Sequence, residues 1–177
     1  MTGLVLATFA LLSIPAIVVS WPSIRRPGSH GFYRFFGFEG TLLLILLNLT
    51  HWFRDPLSPI QACSWLMLAA SLLLAVHSFR LLHTRGGPAD SSIESTTTLV
   101  RVGAYRFIRH PLYASLLLLA GGAFLKNPSW GTAVLLGLTA AFYFATAVAE
   151  ERQSLAKFGG EYAAYMRATR RFIPFVF

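Results

Sequence analysis

Two separated stretches of the chain carry the residue types that could do chemistry. In RFIRHPLYASLLLLAGGAF (106–124), Arg106, Arg109, His110, Pro111 and Tyr113 stand at the threshold of a run that is otherwise apolar. Glu150 and Glu151 close a second apolar run, in FYFATAVAEE. Pro111 suits the first position of a helix, where its missing N–H costs nothing. The free N–H groups that follow, with the positive end of the helix dipole, then make a site for an anionic group. His110 and Tyr113 flank that end, and Arg106 and Arg109 add charge. Two adjacent carboxylates ending an apolar span are costly unless paired. Neighbours on a helix diverge by about 100°, so one can face the bundle and the other water. Glu39, in FFGFEGTLLL, and His77 lie at similar depth in other apolar runs. Either could line the same cavity or be satisfied by packing. The plainer alternative is that Arg109 and His110 snorkel toward headgroups and that the glutamates are a solvated helix stop.

These residues need elements to hold them, and the composition says which. Of 177 residues, 55% are hydrophobic and only 12% charged, with a mean hydropathy of +0.58. Soluble domains carry about a quarter charged residues, and a core of this size could not bury so much apolar surface. An integral, all-α membrane protein is expected, one domain over residues 1–177. The net charge of +8 does not indicate a nucleic-acid binder, because the arginines sit between apolar runs and not on a polar face. With Cys63 as the single cysteine, no internal disulfide is available.

Five runs are apolar enough to be read as crossing helices, near 3–21, 36–53, 60–82, 111–126 and 130–149. Pro22, Pro27, Pro56, Pro59, Gly86–Gly87–Pro88 and Pro128 punctuate them. With the N-terminus outside and the C-terminus cytoplasmic, 13 of the 15 Lys and Arg fall on the inner side, leaving Arg54 and Lys126 outside. That asymmetry is the positive-inside pattern. A cleaved signal peptide is the alternative for the first run, which lacks a basic leader and a clear cleavage site. Residues 83–110, the start of the fourth span, the end of the fifth and the tail 150–177 then meet at the inner surface. In the tail, Leu155, Phe158, Tyr162 and Tyr165 at helical spacing predict an amphipathic surface helix with a break at Gly159–Gly160.

Several chemistries are missing. No GxGxxG, P-loop or GxSxG occurs. Histidines 30, 51, 77, 83 and 110 do not show a metal-ligand spacing, so no metal is expected. A transporter would show polar or broken helices at mid-membrane, where only Asn48, Ser71 and a few threonines stand.

The stretches LVRVGAYRFIRHPLY and EERQSLAKFGGEYAAYMRATRRFIP resemble the isoprenylcysteine carboxyl methyltransferase family and its phospholipid methyltransferase relatives. The shared pattern is Leu-Val, Gly-x-Tyr, Arg-His-Pro-x-Tyr, Glu-Glu and Phe-Gly-x-x-Tyr-x-x-Tyr, over roughly residues 97–174. The resemblance implies an S-adenosylmethionine-dependent methyltransferase working at the cytoplasmic face on a membrane lipid or lipidated acceptor, with no nucleic-acid partner. Carried over by position, the cofactor contacts are Thr97, Thr98, Leu99, Val100, Tyr105, Arg109, His110, Pro111, Leu112, Tyr113 and Glu150. Thr97 stands where the family has a histidine. Thr146 stands where many relatives have an arginine that holds the acceptor, so Thr146 and Tyr162 are the candidate acceptor contacts. Carboxyl O-methylation and N-methylation of an amino-lipid both remain open. For an amine acceptor, Glu151, Glu39 or His77 would be the base. The competing classes are a non-catalytic scaffold or transporter that keeps the fold, and a reductase sharing its C-terminal part.

Overall fold

The computed structural model describes residues 2–87 and 96–175. Pro88, one of the expected breaks, lies outside the described residues. Six helices follow one another: α1 (Thr2–Ile24), α2 (His30–Asn48), α3 (Pro59–Arg85), α4 (Pro111–Phe124), α5 (Trp130–Phe158) and α6 (Gly160–Ala168). Among the described residues no strand forms, and Ile108 pairs with Arg170 in an isolated parallel bridge.

Four helices are long and apolar enough to cross a membrane: Gly3–Ile24, His30–His51, Pro59–Arg85 and Trp130–Phe158. The fourth of the five expected spans is α4, and it has only 14 residues. At 1.5 Å per residue it reaches about 21 Å, short of a hydrocarbon layer of about 30 Å. It stops at Phe124 because Leu125 through Pro128 turn the chain into α5, whose start is fixed by a capping box between Ser129 and Thr132. Other boundaries also move outward, the third span running on from 82 to Arg85. The second span begins at His30 because Ser29 accepts from the Phe32 N–H as its cap. α1 runs through Pro22 to Ile24. α5 continues nine residues past the expected 149, through Glu150 and Glu151, and ends where Gly159 takes a φ of +54°. Much of the anticipated surface helix is therefore the end of α5, with nine-residue α6 following the break at Gly159.

Polar pins set how the helices run beside one another. In α3, Gln61, Ser64 and Ser71 donate to the carbonyls of Lys126, Gly122 and Ser115 in turn, so α3 and α4 are antiparallel. Asn48 of α2 donates to the Ala123 carbonyl, and Thr41 is hydrogen-bonded to the Tyr143 hydroxyl of α5. Consequently the C-terminal ends of α1, α3 and α5 and the N-terminal ends of α2 and α4 share one end of the bundle. At the opposite end Lys126 is buried with its ammonium 3.5 Å from the Trp65 ring centroid and bonded to Gln61. Lys126 and the α2–α3 connection that carries Arg54 therefore lie away from the Glu150–Glu151 end.

Close helix contact relies on glycine at α2. A Cβ on Gly37 would sit 2.6 Å from the ring of fully buried Tyr143. The variant Gly37→Val should lose about 1–3 kcal/mol by overpacking. A thermal midpoint in detergent unchanged from wild type would show that α2 and α5 separate freely.

Candidate functional site

Two backbone strands of contact build the site end. Arg109 and His110 donate their N–H groups to the carbonyls of Arg170 and Arg171, and Arg170 returns a bond to Phe107. The segment after α6 is thus stitched along the approach to α4. Tyr165 reinforces it by donating its hydroxyl to the Tyr105 carbonyl at 2.7 Å. Lys157 reaches the Thr96 carbonyl, and Arg101 pairs with Glu161 at the surface.

The two glutamates separate as their helical angle requires. Glu151 points inward with 5% of its side chain exposed, whereas Glu150 keeps 41%. Glu151 takes three cationic or imidazole partners: Arg109 Nε at 2.8 Å, Arg171 Nη2 at 2.8 Å and His110 Nε2 at 3.3 Å. Arg109 also donates to the carbonyls of Met166 and Thr169. Its charge is therefore absorbed by the fold and not offered to a ligand. The Glu151 pairing raises the Arg171 guanidinium above its usual value, outweighing the opposing effect of burial. The neighbouring phenols stay protonated: burial, with Glu150 and Tyr165 adding, pushes Tyr105 upward, and burial with Glu151 and Glu150 pushes Tyr162 up to about 12.

A cavity of about 500 Å³ opens beside this cluster, within the usual range for small-molecule sites. Its walls include Tyr105, Arg109, His110, Leu112 and Tyr113 from the α4 approach, with Glu150, Ser154 and Phe158 from α5. His110 holds its Nδ1 4.0 Å from Glu150 and its ring 5.6 Å from that of Tyr113. It is the residue before α4 and makes no side-chain capping bond, which leaves the first turn to the cavity.

The candidates fall into three groups. Tyr105, Arg109, His110, Leu112, Tyr113 and Glu150 line the cavity, and Pro111 starts the helix beneath them. Thr97, Thr98, Leu99 and Val100 stand behind it. Thr97 and Thr98 are tied to Gly86 and Gly87, Val100 is buried, and Thr96 is the residue of that segment facing the cavity. The remaining candidates lie elsewhere. Glu39 accepts from Ser13 of α1, His77 accepts the Ala104 N–H, and Glu151 is occupied by its cations. Thr146 is fully buried and bonded to its own helix at Phe142, while buried Tyr162 packs on Tyr165. None of these five lines the cavity.

Sequence reasoning passed over the opposite wall, which α2 supplies with His30, Arg34 and Phe38. Their spacing of four places them on one helical face, and that was the available signal. In the sequence Arg171 is one of the 13 inner Lys and Arg, with no local signal that sets it apart.

The sequence model of the phospholipid methyltransferase family matches residues 60–161. The match thus begins at the head of α3, earlier than the resemblance over 97–174, and takes in α4, α5 and both glutamates. No curated protein and no solved structure matches the chain. Because the match spans more than half of the sequence, this chain, an integral membrane protein by its four long apolar helices, belongs to the phospholipid methyltransferase family within the isoprenylcysteine carboxyl methyltransferase-like membrane methyltransferases.

Proposed function

We propose that the chain uses S-adenosylmethionine to methylate the amine headgroup of a membrane lipid at the end of the bundle where α4 begins. The observation that carries the reading is the cavity that brings Glu150, His110 and two tyrosines within reach of one small molecule. Its donor set fits a zwitterionic sulfonium. Glu150, partly exposed, pairs with the ammonium. The open first turn of α4 at Leu112, with His110, receives the carboxylate. The rings of Tyr105 and Tyr113 face the adenosine or the positive sulfur. Bound there, the cofactor supplies an electrophilic methyl on a leaving group that departs as a neutral thioether. The chain's own task is alignment of acceptor and methyl, worth up to about 7–11 kcal/mol in well-oriented systems.

An amine acceptor must shed a proton before it attacks. Glu150, through the carboxylate oxygen that the cofactor's ammonium does not engage, is the cavity-facing group able to take it, in place of Glu39, His77 and Glu151. Thr146 favours an amine over a prenylcysteine carboxylate, since it puts no cation beside the cavity at that position. Arg34 and His30 on the α2 wall suit a lipid phosphate. In this reading the acceptor reaches the cavity sideways from the bilayer, with the basic end of the bundle cytoplasmic.

Purified chain in lipid vesicles should transfer label from methyl-labelled S-adenosylmethionine into the lipid fraction. The label should survive mild alkali, as an N-methyl group does. Alkali-labile methanol release would assign a carboxyl methyl ester instead, and label found only on a water-soluble thiol or amine would refute a lipidic acceptor.

A further inference from the structure

A second cavity, about 820 Å³, lies on the other side of α4 from the first. Leu112, Tyr113 and Leu116 face the first cavity, whereas Ala114, Leu117 and Leu118 face the second. Every residue lining it is apolar except for backbone, so it holds neither an acid nor a base for methyl transfer. Met67 and Leu74 of α3 form one wall and Ala141 and Phe144 of α5 the other, with Phe107 and the segment at Ile173 over the top. The helical rise over the seven steps from Met67 to Leu74 makes the groove about 10 Å long, the reach of roughly half an acyl chain.

Cations stand beside the groove at Phe107 and Phe144. Arg106 lies over the Phe107 ring, Arg170 is stitched to Phe107 through the backbone, and Arg171 covers Phe144 at 4.8 Å. Arg171 is engaged by Glu151. Arg106 and Arg170 are exposed, and neither pairs with a carboxylate among the described residues. A dry slot bordered at Phe107 by Arg106, with Arg170 backbone-paired to the same residue and neither arginine ion-paired among the described residues, matches an amphiphile with an anionic head.

We propose that this groove is a seat for an anionic glycerophospholipid, with one acyl chain between α3 and α5 and its phosphate on Arg106 and Arg170. The lipid is a resident of the fold and not the methyl acceptor, so the proposal stands independently of the function argued above. It braces the short helix α4, whose 14 residues leave hydrocarbon depth that protein does not fill.

Native mass spectrometry of the full chain, titrated after delipidation with phosphatidylglycerol and with phosphatidylcholine, tests it. One phosphatidylglycerol should be retained about thirty-fold more tightly, as expected of two interfacial cations. The double variant R106Q/R170Q should bind both lipids alike, and Ala141→Trp should retain neither, each with a thermal midpoint near wild type before lipid is added. Equal binding of the two lipids by wild type, or a preference that survives R106Q/R170Q, would overturn the proposal. So would methyl label appearing on a lipid photo-crosslinked at position 141, which would make the groove the acceptor's seat.

Discussion

Glu151→Ala should be the most damaging single change in the chain, lowering stability by about 3–5 kcal/mol, the loss typical when one side of a buried ion cluster is removed. Three partners converge on that carboxylate, and two of them, Arg109 and His110, are nearly inaccessible to water. Alanine leaves their donors facing one another in an apolar setting. The damage should be localised first to the segment after α6, because Arg109 and Arg171 are also what holds it against the α4 approach. Limited proteolysis should cut beyond Ala168 in the variant at concentrations that spare wild type, and the thermal midpoint should fall. Arg171→Ala should cost less, since its side chain is 22% exposed and water can take its place. A Glu151→Ala midpoint indistinguishable from wild type would mean that the cluster contributes nothing net. If the loss of charge pairing is the cause, replacing Glu151, Arg109 and Arg171 together by apolar residues of similar volume should recover much of the stability.

Glu150→Gln should act in the opposite way, sparing the fold and removing the ligand. Its carboxylate is the exposed member of the pair, and among the described residues it approaches a titratable partner at His110, 4.0 Å away. Losing a charge-assisted bond of about 1.5–3 kcal/mol weakens S-adenosylmethionine by roughly 10- to 150-fold. Calorimetric titration of wild type, Glu150→Gln and His110→Ala should show that loss with an unchanged midpoint for Glu150→Gln. NADPH titrated in parallel should give no heat, which separates a methyltransferase from a reductase. Wild-type affinity in Glu150→Gln would sink the placement of the cofactor, even if methyl transfer itself were observed.

The two variants differ by one position, and the sequence anticipated that they would diverge, though not how. A 100° step between helical neighbours follows from backbone geometry alone. Which carboxylate turns inward depends on the rotation of α5, and that is set by distant packing such as Tyr143 against Gly37 and Thr41. The role of Arg171 was hidden for a similar reason. It sits 20 residues from Glu151, across the break at Gly159, and an arginine at that distance looks like any other charge on the basic side. Glu39 and His77 have the right depth but the wrong face, since depth is read from position in the run and face from partners in α1 and the 103–106 turn.

By itself the sequence determined the class of molecule, its apolar helices, the punctuation between them and the two motifs that meet at one end. All of these depend on neighbours in the chain: run length, helix breakers, local spacing and the sign of nearby charge. Tertiary structure decided that α5 runs nine residues into the expected tail, past both acids, and that α2 closes the cavity with His30, Arg34 and Phe38. Those outcomes depend on contacts between residues twenty to a hundred apart, where many pairings have similar chemistry and only simultaneous packing selects among them.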